Sequence, residues 1–187
     1  MGKNTQYAII FSIIAVVVIA TLLIFFPSAQ PSNTLEVSGP AADTSWQSMQ
    51  FRDALSGETH TIREYSGRPV IIQTFTISCP ICTRQQQEIV SLRKELGVDA
   101  FTFVALDIDP DEQEKAITAH VLKNGFNGTY AASPVDLSRA LLDQFGPEII
   151  SPSSAPIILV CGDGSSLKLP PGIKTAGSLK EALEKVC

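Results

Sequence analysis

The stretch that decides the fold covers residues 70–96 and reads VIIQTFTISCPICTRQQQEIVSLRKEL. Residues 70–77 are mostly β-branched or aromatic, a pattern typical of a buried central strand. Residues 80–96 carry apolar side chains at helical spacing among polar ones, which predicts an amphipathic helix. Cys79 and Cys82 therefore lie where a buried strand meets the start of a helix.

The spacing of Cys79 and Cys82 indicates redox chemistry. Two cysteines three residues apart face each other across one helical turn, so they can form a disulfide with little backbone movement. Cys79 lies at the predicted helix N-terminus, where free backbone N–H groups and the helix dipole favour a thiolate. We therefore predict Cys79 as the attacking sulfur and Cys82 as the resolving thiol. Pro80 suits the first helical position, because no hydrogen bond is lost there.

The same C-x-x-C spacing is also half of a zinc site, which needs two further ligands. Cys161 and Cys187 are isolated in the sequence, and His60 and His120 follow no ligand spacing. The sequence therefore favours redox use of the pair, with no metal site and no organic cofactor.

Toward the N-terminus, residues 8–26 form an uncharged run of nineteen residues, AIIFSIIAVVVIATLLIFF. As a helix this run would be about 28 Å long, close to the thickness of a bilayer core. We predict a transmembrane signal anchor that contacts lipid, with a cleaved signal peptide as the alternative. Lys3 is the only basic residue before Arg52. The positive-inside rule then places residues 1–7 in the cytoplasm and the rest of the chain outside it, as a single-pass protein of the cell membrane.

The remaining sequence predicts a flexible linker at residues 27–46 and one domain at 47–187. The alternation of elements predicts an α/β thioredoxin-like fold, a central mixed sheet flanked by helices, with an N-terminal β-hairpin and an inserted strand and helix. The predicted elements are a hairpin at 51–65, strands at 100–108, 128–132 and 155–161, a turn at 162–164, and helices at 110–124 and 134–142 and from Ser178 onward. Capping boxes are predicted at Asp109–Glu112 and Ser178–Glu181.

Composition excludes two classes of protein. The net charge is -5 and no run of Lys or Arg appears, which argues against a nucleic-acid partner. Four cysteines in 187 residues are too few for a small scaffold held together by disulfides. Each cysteine therefore has to be interpreted by its position.

The chain resembles the thioredoxin superfamily, most closely its membrane-anchored, extracytoplasmic TlpA/ResA-like thiol-disulfide oxidoreductases. Residues 51–96 carry the match, through a Phe-x-Asp opening, Gly57, Gly67-Arg68-Pro69, the buried strand and Ser-Cys-Pro-Ile-Cys. Residues 154–160, Ser-Ala-Pro-Ile-Ile-Leu-Val, supply a second motif. The resemblance implies an enzyme that exchanges disulfides with protein dithiol or disulfide partners. It also implies a membrane electron donor or acceptor, and it leaves the direction of electron flow open.

The resemblance further implies how the second motif works. Pro156 would lie against the active-site disulfide after a cis peptide bond, and the backbone of Ala155 would bind substrate. An ordinary trans proline at the start of a strand is the alternative. The family's tryptophan before the first cysteine is Ser78 here, and the buried acid of thioredoxins is Gln73. Solvent or Glu88 would then have to accept the proton of the resolving thiol.

Two other functions remain open. Sco-type copper chaperones share this fold, but they space their cysteines one residue further apart and add a histidine that residues 124–156 lack. A redox-inert interaction domain would keep Cys79 and Cys82 as a structural bridge. Cys161 ends a predicted strand and Cys187 ends the last helix, so either a structural disulfide or two buried thiols fits.

Overall fold

The computed structural model of the protein describes residues 44–187. The strands are β1 (Phe51–Arg52), β2 (Thr59–His60), β3 (Val70–Phe75), β4 (Thr102–Asp107), β5 (Thr129–Ala132), β6 (Ile157–Val160) and β7 (Ser166–Lys168). The helices are α1 (Pro80–Leu96), α2 (Glu114–Asn124), α3 (Val135–Phe145) and α4 (Ala176–Val186), with 3-10 turns at Thr44–Ser48, Ile62–Tyr65, Pro147–Ile150 and Pro152–Ser154.

The predicted membrane anchor at residues 8–26 lies outside the described residues, as do residues 1–7 and residues 27–43 of the predicted linker. Within residues 44–187, no helix is both long and apolar enough to cross a membrane.

The main sheet has the strand order β5-β4-β3-β6-β7. β3 lies at its centre, parallel to β4 and antiparallel to β6, and β4 is parallel to β5. β1 and β2 form a separate antiparallel hairpin. The predicted thioredoxin-like fold, with its mixed sheet and N-terminal hairpin, is therefore confirmed.

All six residues of β3 are buried, which explains its nearly continuous apolar sequence. Ile71 and Phe75 pack into the core beneath α1, α2 and α4, whereas Ile72 faces the second core, beneath α3. Burial of each such side chain contributes about 1.5–3 kcal/mol. Helices cover both faces of β3 and fix it in place. The C-terminal end of the strand, and the cysteines that follow, are therefore held in a defined position.

The folded domain begins earlier than predicted. Trp46, which was placed in the linker, is 3% exposed and packs edge-on against the ring of Phe145, with ring centroids 5.6 Å apart. The side chain of Gln47 donates a hydrogen bond of 2.9 Å to the carbonyl of Gly164. The boundary at residue 47 was therefore wrong, because this aromatic side chain belongs to the core.

The start of α2 also differs from the prediction. The helix begins at Glu114 rather than at Pro110. Glu112 does not close a capping box with Asp109, because its carboxylate accepts a hydrogen bond of 3.0 Å from the backbone N–H of Ile77. The side chain of Glu112, which the local pattern assigned to a helix cap, thus binds the loop before Cys79 instead.

α4 begins one turn before the predicted cap. It starts at Ala176, and the hydroxyl of Thr175 accepts a hydrogen bond from the backbone N–H of Ser178. Glu181, the predicted partner of Ser178, instead forms an exposed ion pair with Lys185 at 2.5 Å. The predicted capping box at Ser178–Glu181 was therefore wrong.

Candidate active site

Cys79 and Cys82 form a disulfide at the junction of β3 and α1, with their Cα atoms 5.3 Å apart. Cys79 is the N-cap of α1 and has an extended backbone, and Pro80 is the first helical residue. The Cys79 side chain is partly exposed, whereas Cys82 is completely buried. One sulfur is thus placed to meet a partner molecule, and the other is not.

The N-terminus of α1 provides a hydrogen-bond donor that can stabilise a negatively charged Cys79 sulfur. The backbone N–H of Cys82 donates to Cys79 Sγ at 3.1 Å. This N–H is one of the helix-terminal donors that have no partner within the helix, and the positive end of the helix dipole lies at the same point. Both effects favour the thiolate over the thiol once the disulfide is reduced.

The segment that faces the pair is the loop Pro152–Ser154 together with Ala155 and Pro156. The sulfur of Cys82 lies 3.2 Å from the carbonyl oxygen of Pro152. Ala155 adopts a left-handed backbone with φ of 47°, and the N–H of Ala155 donates to the Pro152 carbonyl at 2.9 Å. The residue in contact with the disulfide is therefore Pro152, two residues before the predicted motif at 154–160, and Ala155 is joined to it by a hydrogen bond.

The expected cis peptide bond before Pro156 was wrong. Residues 44–187 contain no cis peptide bond, so this proline follows a trans bond. The change of chain direction comes instead from the left-handed conformation of Ala155, which leads into β6. The alternative of a trans proline at the start of a strand describes the structure.

Gln73 occupies the position of the buried acid in thioredoxins, and it is completely buried here. Its amide nitrogen donates to the carbonyl of Cys82 at 3.3 Å, so it supports the first turn of α1. Glu88 does not act near the sulfurs, because its carboxylate accepts from the backbone N–H of Ala176 at 2.9 Å. Glu88 is thus a cap of α4, and the suggestion that it accepts a proton from Cys82 is not supported.

Lys174 is a buried cation beside the facing loop that the sequence did not reveal. It is 8% exposed, and its ammonium donates to the backbone carbonyls of Ala155 and Gly172. Burial lowers the pKa of Lys174 to about 8. Its segment, Pro-Gly-Ile-Lys-Thr, reads as an exposed turn, so one sequence gives no sign of this burial.

Asp107 is a second buried ionisable residue near the site. It is the last residue of β4, is 2% exposed, and accepts a hydrogen bond from the N–H of Asp109 at 2.9 Å. Burial, and then the neighbouring carboxyl of Glu112, raise the pKa of Asp107 to about 8. A polar residue inside the apolar run 100–108 was the signal available in the sequence.

Cys161 and Cys187 also form a disulfide, with their Cα atoms 5.0 Å apart. It joins the residue after β6 to the residue after α4. Cys161 is 5% exposed, whereas Cys187 is exposed, so the bond joins the edge of the core to the surface. The structure thus favours the structural disulfide over the two buried thiols.

The described residues contain no cluster of three or more His, Cys, Asp or Glu side chains arranged to hold a metal ion.

Comparison with known protein families identifies the domain. The model of the family described as Redoxin matches residues 39–160, which is more than half of the chain. The chain belongs to the Redoxin family. This membership, together with the Cys79–Cys82 pair, makes it a thioredoxin-like thiol-disulfide oxidoreductase.

Solved structures share the fold of this Redoxin-family protein. A thiol:disulfide interchange protein of the thioredoxin family from Chlorobium tepidum is 16% identical, with a TM-score of 0.63 over 74% of this chain and 92% of that chain. A secreted disulfide oxidoreductase from Mycobacterium tuberculosis is 16% identical, with a TM-score of 0.59 over 76% and 99%. StoA from Bacillus subtilis is 21% identical, with a TM-score of 0.54 over 71% and 93%. Among curated proteins, none matches the sequence.

Proposed function

We propose that this protein exchanges dithiols and disulfides with protein substrates on the outer side of a membrane, through Cys79 and Cys82. The observation that carries the proposal is the pair itself. Its outer sulfur is partly exposed at a helix N-terminus, and its inner sulfur is buried against the facing loop. A purely structural bridge needs neither this asymmetry nor the N–H donor on Cys79.

In the reducing direction, the thiolate of Cys79 attacks one sulfur of a substrate disulfide, and the other substrate sulfur leaves as a thiolate. Cys82 then loses its proton and attacks Cys79 Sγ, which releases the second substrate sulfur. The substrate gains two electrons and two protons, and the enzyme ends as the Cys79–Cys82 disulfide. The oxidising direction is the reverse of these steps, so the same geometry serves either direction.

Ala155 and Pro156 are the proposed contacts for the substrate backbone. The N–H and the carbonyl of Ala155 both have partners within the molecule, Pro152 and Lys174 respectively. A substrate strand that binds the N–H of Ala155 has to displace the Pro152 carbonyl, whereas the Ala155 carbonyl can accept a second hydrogen bond beside Lys174. Pairing through the N–H therefore requires a small rearrangement of the facing loop.

The proposed location rests on the apolar run at residues 8–26 and on the single charge of Lys3 before it. The Cys161–Cys187 disulfide supports an oxidising compartment, because such bonds are rare where thiols are kept reduced. A membrane protein would supply or remove the electrons of the pair in this scheme. Protease treatment of intact spheroplasts that express the full chain tests the location. Digestion of the domain before lysis is expected, and protection until lysis would contradict it.

The exchange reaction is tested by the reduction potential of the full-length protein in detergent, equilibrated against glutathione or dithiothreitol. Cys161→Ala/Cys187→Ala serves as the background, so that one couple remains. A reversible two-electron couple between about -120 and -270 mV is expected, and it should vanish in Cys79→Ser and Cys82→Ser. A potential near the upper limit indicates an oxidant, and one near the lower limit a reductant.

Two results would reject the exchange reaction. A potential well below about -300 mV would make the Cys79–Cys82 bond structural, as in the redox-inert interaction domain. A stable copper complex that forms in place of a redox couple would support the Sco-like metal-delivery module instead.

A further inference from the structure

Lys174 has no part in the exchange steps above, yet it is a buried cation that binds the loop facing the cysteine pair. Its ammonium donates to the carbonyl of Gly172 at 2.6 Å and also to the carbonyl of Ala155. No carboxylate of residues 44–187 forms an ion pair with it. A buried charge without a counter-charge is costly, so its retention requires a reason.

Hydrogen bonds also hold the backbone of Lys174 in place. Gln85, three residues after Cys82 on α1, accepts from the N–H of Lys174 at 2.7 Å and donates to its carbonyl at 3.0 Å. Gln85 is completely buried. The helix that carries the cysteines therefore fixes the backbone from which the Lys174 side chain extends.

The side chain of Lys174 reaches the loop that faces the disulfide. The ammonium binds the carbonyl of Ala155, and the N–H of the same residue binds the carbonyl of Pro152. That Pro152 oxygen lies 3.2 Å from the sulfur of Cys82. Ala155 thus connects the ammonium of Lys174 to the Pro152 carbonyl, which contacts the sulfur of Cys82.

We propose that Lys174 is a positioning residue that fixes the Ala155 turn opposite the cysteine pair and stabilises the reduced, thiolate form of that pair. The inference rests on the proposed exchange reaction. In the oxidised protein the pair is neutral, so the ammonium has no counter-charge there. Reduction creates a thiolate at the cysteine pair, and its negative charge attracts the ammonium because both groups adjoin the loop that carries Pro152 and Ala155.

Glu88 lies three residues after Gln85 on α1, and its carboxylate accepts a hydrogen bond from the N–H of Ala176. A thiolate at the cysteine pair is the anion that the proposed reaction adds. Because coupling between two sites is reciprocal, the ammonium favours the thiolate as much as the thiolate favours the ammonium. Loss of the ammonium should therefore stabilise the disulfide relative to the dithiol.

The test compares Lys174→Met and Lys174→Arg with Lys180→Met, a surface lysine that pairs with Glu95. The full-length protein with Cys161→Ala/Cys187→Ala is equilibrated with glutathione, and alkylation of Cys79 by iodoacetamide is followed against pH. Lys174→Met should lower the equilibrium constant for reduction about tenfold, or about 30 mV for two electrons, and move the alkylation midpoint to higher pH. Lys174→Arg should restore most of both values, and Lys180→Met should match the parent.

A second measurement does not depend on a variant that folds. NMR titration of selectively labelled lysines should show a higher pKa for Lys174 in the reduced than in the oxidised protein. Equal pKa values in the two states, or a folded Lys174→Met protein with unchanged potential and alkylation profile, would overturn the inference. Absence of any couple in the parent protein would instead overturn the exchange reaction and this inference with it.

Discussion

Asp107 shows, at the scale of one residue, how burial in the fold raises the pKa of a carboxyl group. Its carboxyl lies at the end of β4 with 2% of the residue exposed, and Oδ2 has no hydrogen-bond partner among the described residues. Burial and the adjacent carboxyl of Glu112 both disfavour ionisation. Glu112 also holds the N–H of Ile77, two residues before Cys79. A protonated Asp107 thus lies beside the residue that anchors the active-site loop.

The raised pKa of Asp107 predicts a pH dependence of stability. Its pKa is about 8 in the folded protein and near the ordinary 3.8 in the unfolded chain. Above about pH 4 the unfolded chain therefore binds fewer protons, and the free energy of unfolding should fall as the pH rises to about 8. Asp107→Asn keeps a neutral, similarly shaped group and removes this titration. Urea unfolding of both proteins from pH 4 to 9 should give curves that diverge toward high pH, with the variant losing less.

Parallel curves for the two proteins would show that Asp107 ionises normally in the folded state. Asp163→Asn is the matched control. That carboxylate is fully exposed, and its hydrogen bonds from Ser165 lower its pKa, so its titration falls below pH 4. This control should therefore follow the wild-type curve between pH 4 and pH 9.

At the scale of the element, the N-terminus of α4 depends on one hydroxyl. Thr175 accepts the N–H of Ser178, and Glu88 accepts the N–H of Ala176. Thr175→Ala should lower the free energy of unfolding by about 1 kcal/mol, the ordinary cost of a lost cap. Glu181→Ala should leave it essentially unchanged, because the exposed Glu181–Lys185 pair is screened by solvent. Guanidinium unfolding of both variants measures the difference, and the opposite order of effects would restore the cap at Ser178.

Helix boundaries show where the sequence could predict the fold and where it could not. The bounds of α1 were predicted correctly, because an N-terminal proline and a glycine stop are local signals that agree with its apolar spacing. For α4, the local pattern indicated a cap at Ser178, whereas the helix is capped by Thr175. The contact of Ala176 with Glu88, eighty-eight residues earlier in the chain, supports the cap at Thr175. A local sequence pattern does not indicate contacts between residues that lie so far apart in the chain.

The same limit applies to the candidate site across the whole molecule. Cys79, Cys82 and the segment at Ala155 could be predicted, because each lies in a motif with a known spacing. Lys174 could not, because its burial results from Gln85 and two carbonyls on separate parts of the chain. For a related reason, the sequence alone does not decide between the expected cis bond before Pro156 and its trans alternative. A family pattern specifies the proline, whereas the conformation of the preceding alanine sets the turn.

The Cys161–Cys187 disulfide acts on the stability of the whole domain. It joins residues 26 positions apart and ties the end of β6 to the end of α4. A closed loop of that length restricts the unfolded chain, which should contribute about 3 kcal/mol to the free energy of unfolding. Cys161→Ala/Cys187→Ala should lose this amount in guanidinium unfolding without reductant. The potential of the Cys79–Cys82 couple should stay the same, because α1 and the facing loop keep their contacts.

Selective reduction separates the two disulfides in the wild-type protein. A dithiol buffer that opens Cys79–Cys82 should leave Cys161–Cys187 closed, because a bond that stabilises the folded domain is in turn stabilised by folding and resists reduction. Alkylation followed by mass spectrometry counts the free thiols, and two per chain are expected across the range in which the active pair titrates. Four thiols appearing together would show that the second bond is also exchangeable. Equal unfolding free energies of the double variant and the wild type would show that this bond does not stabilise the domain.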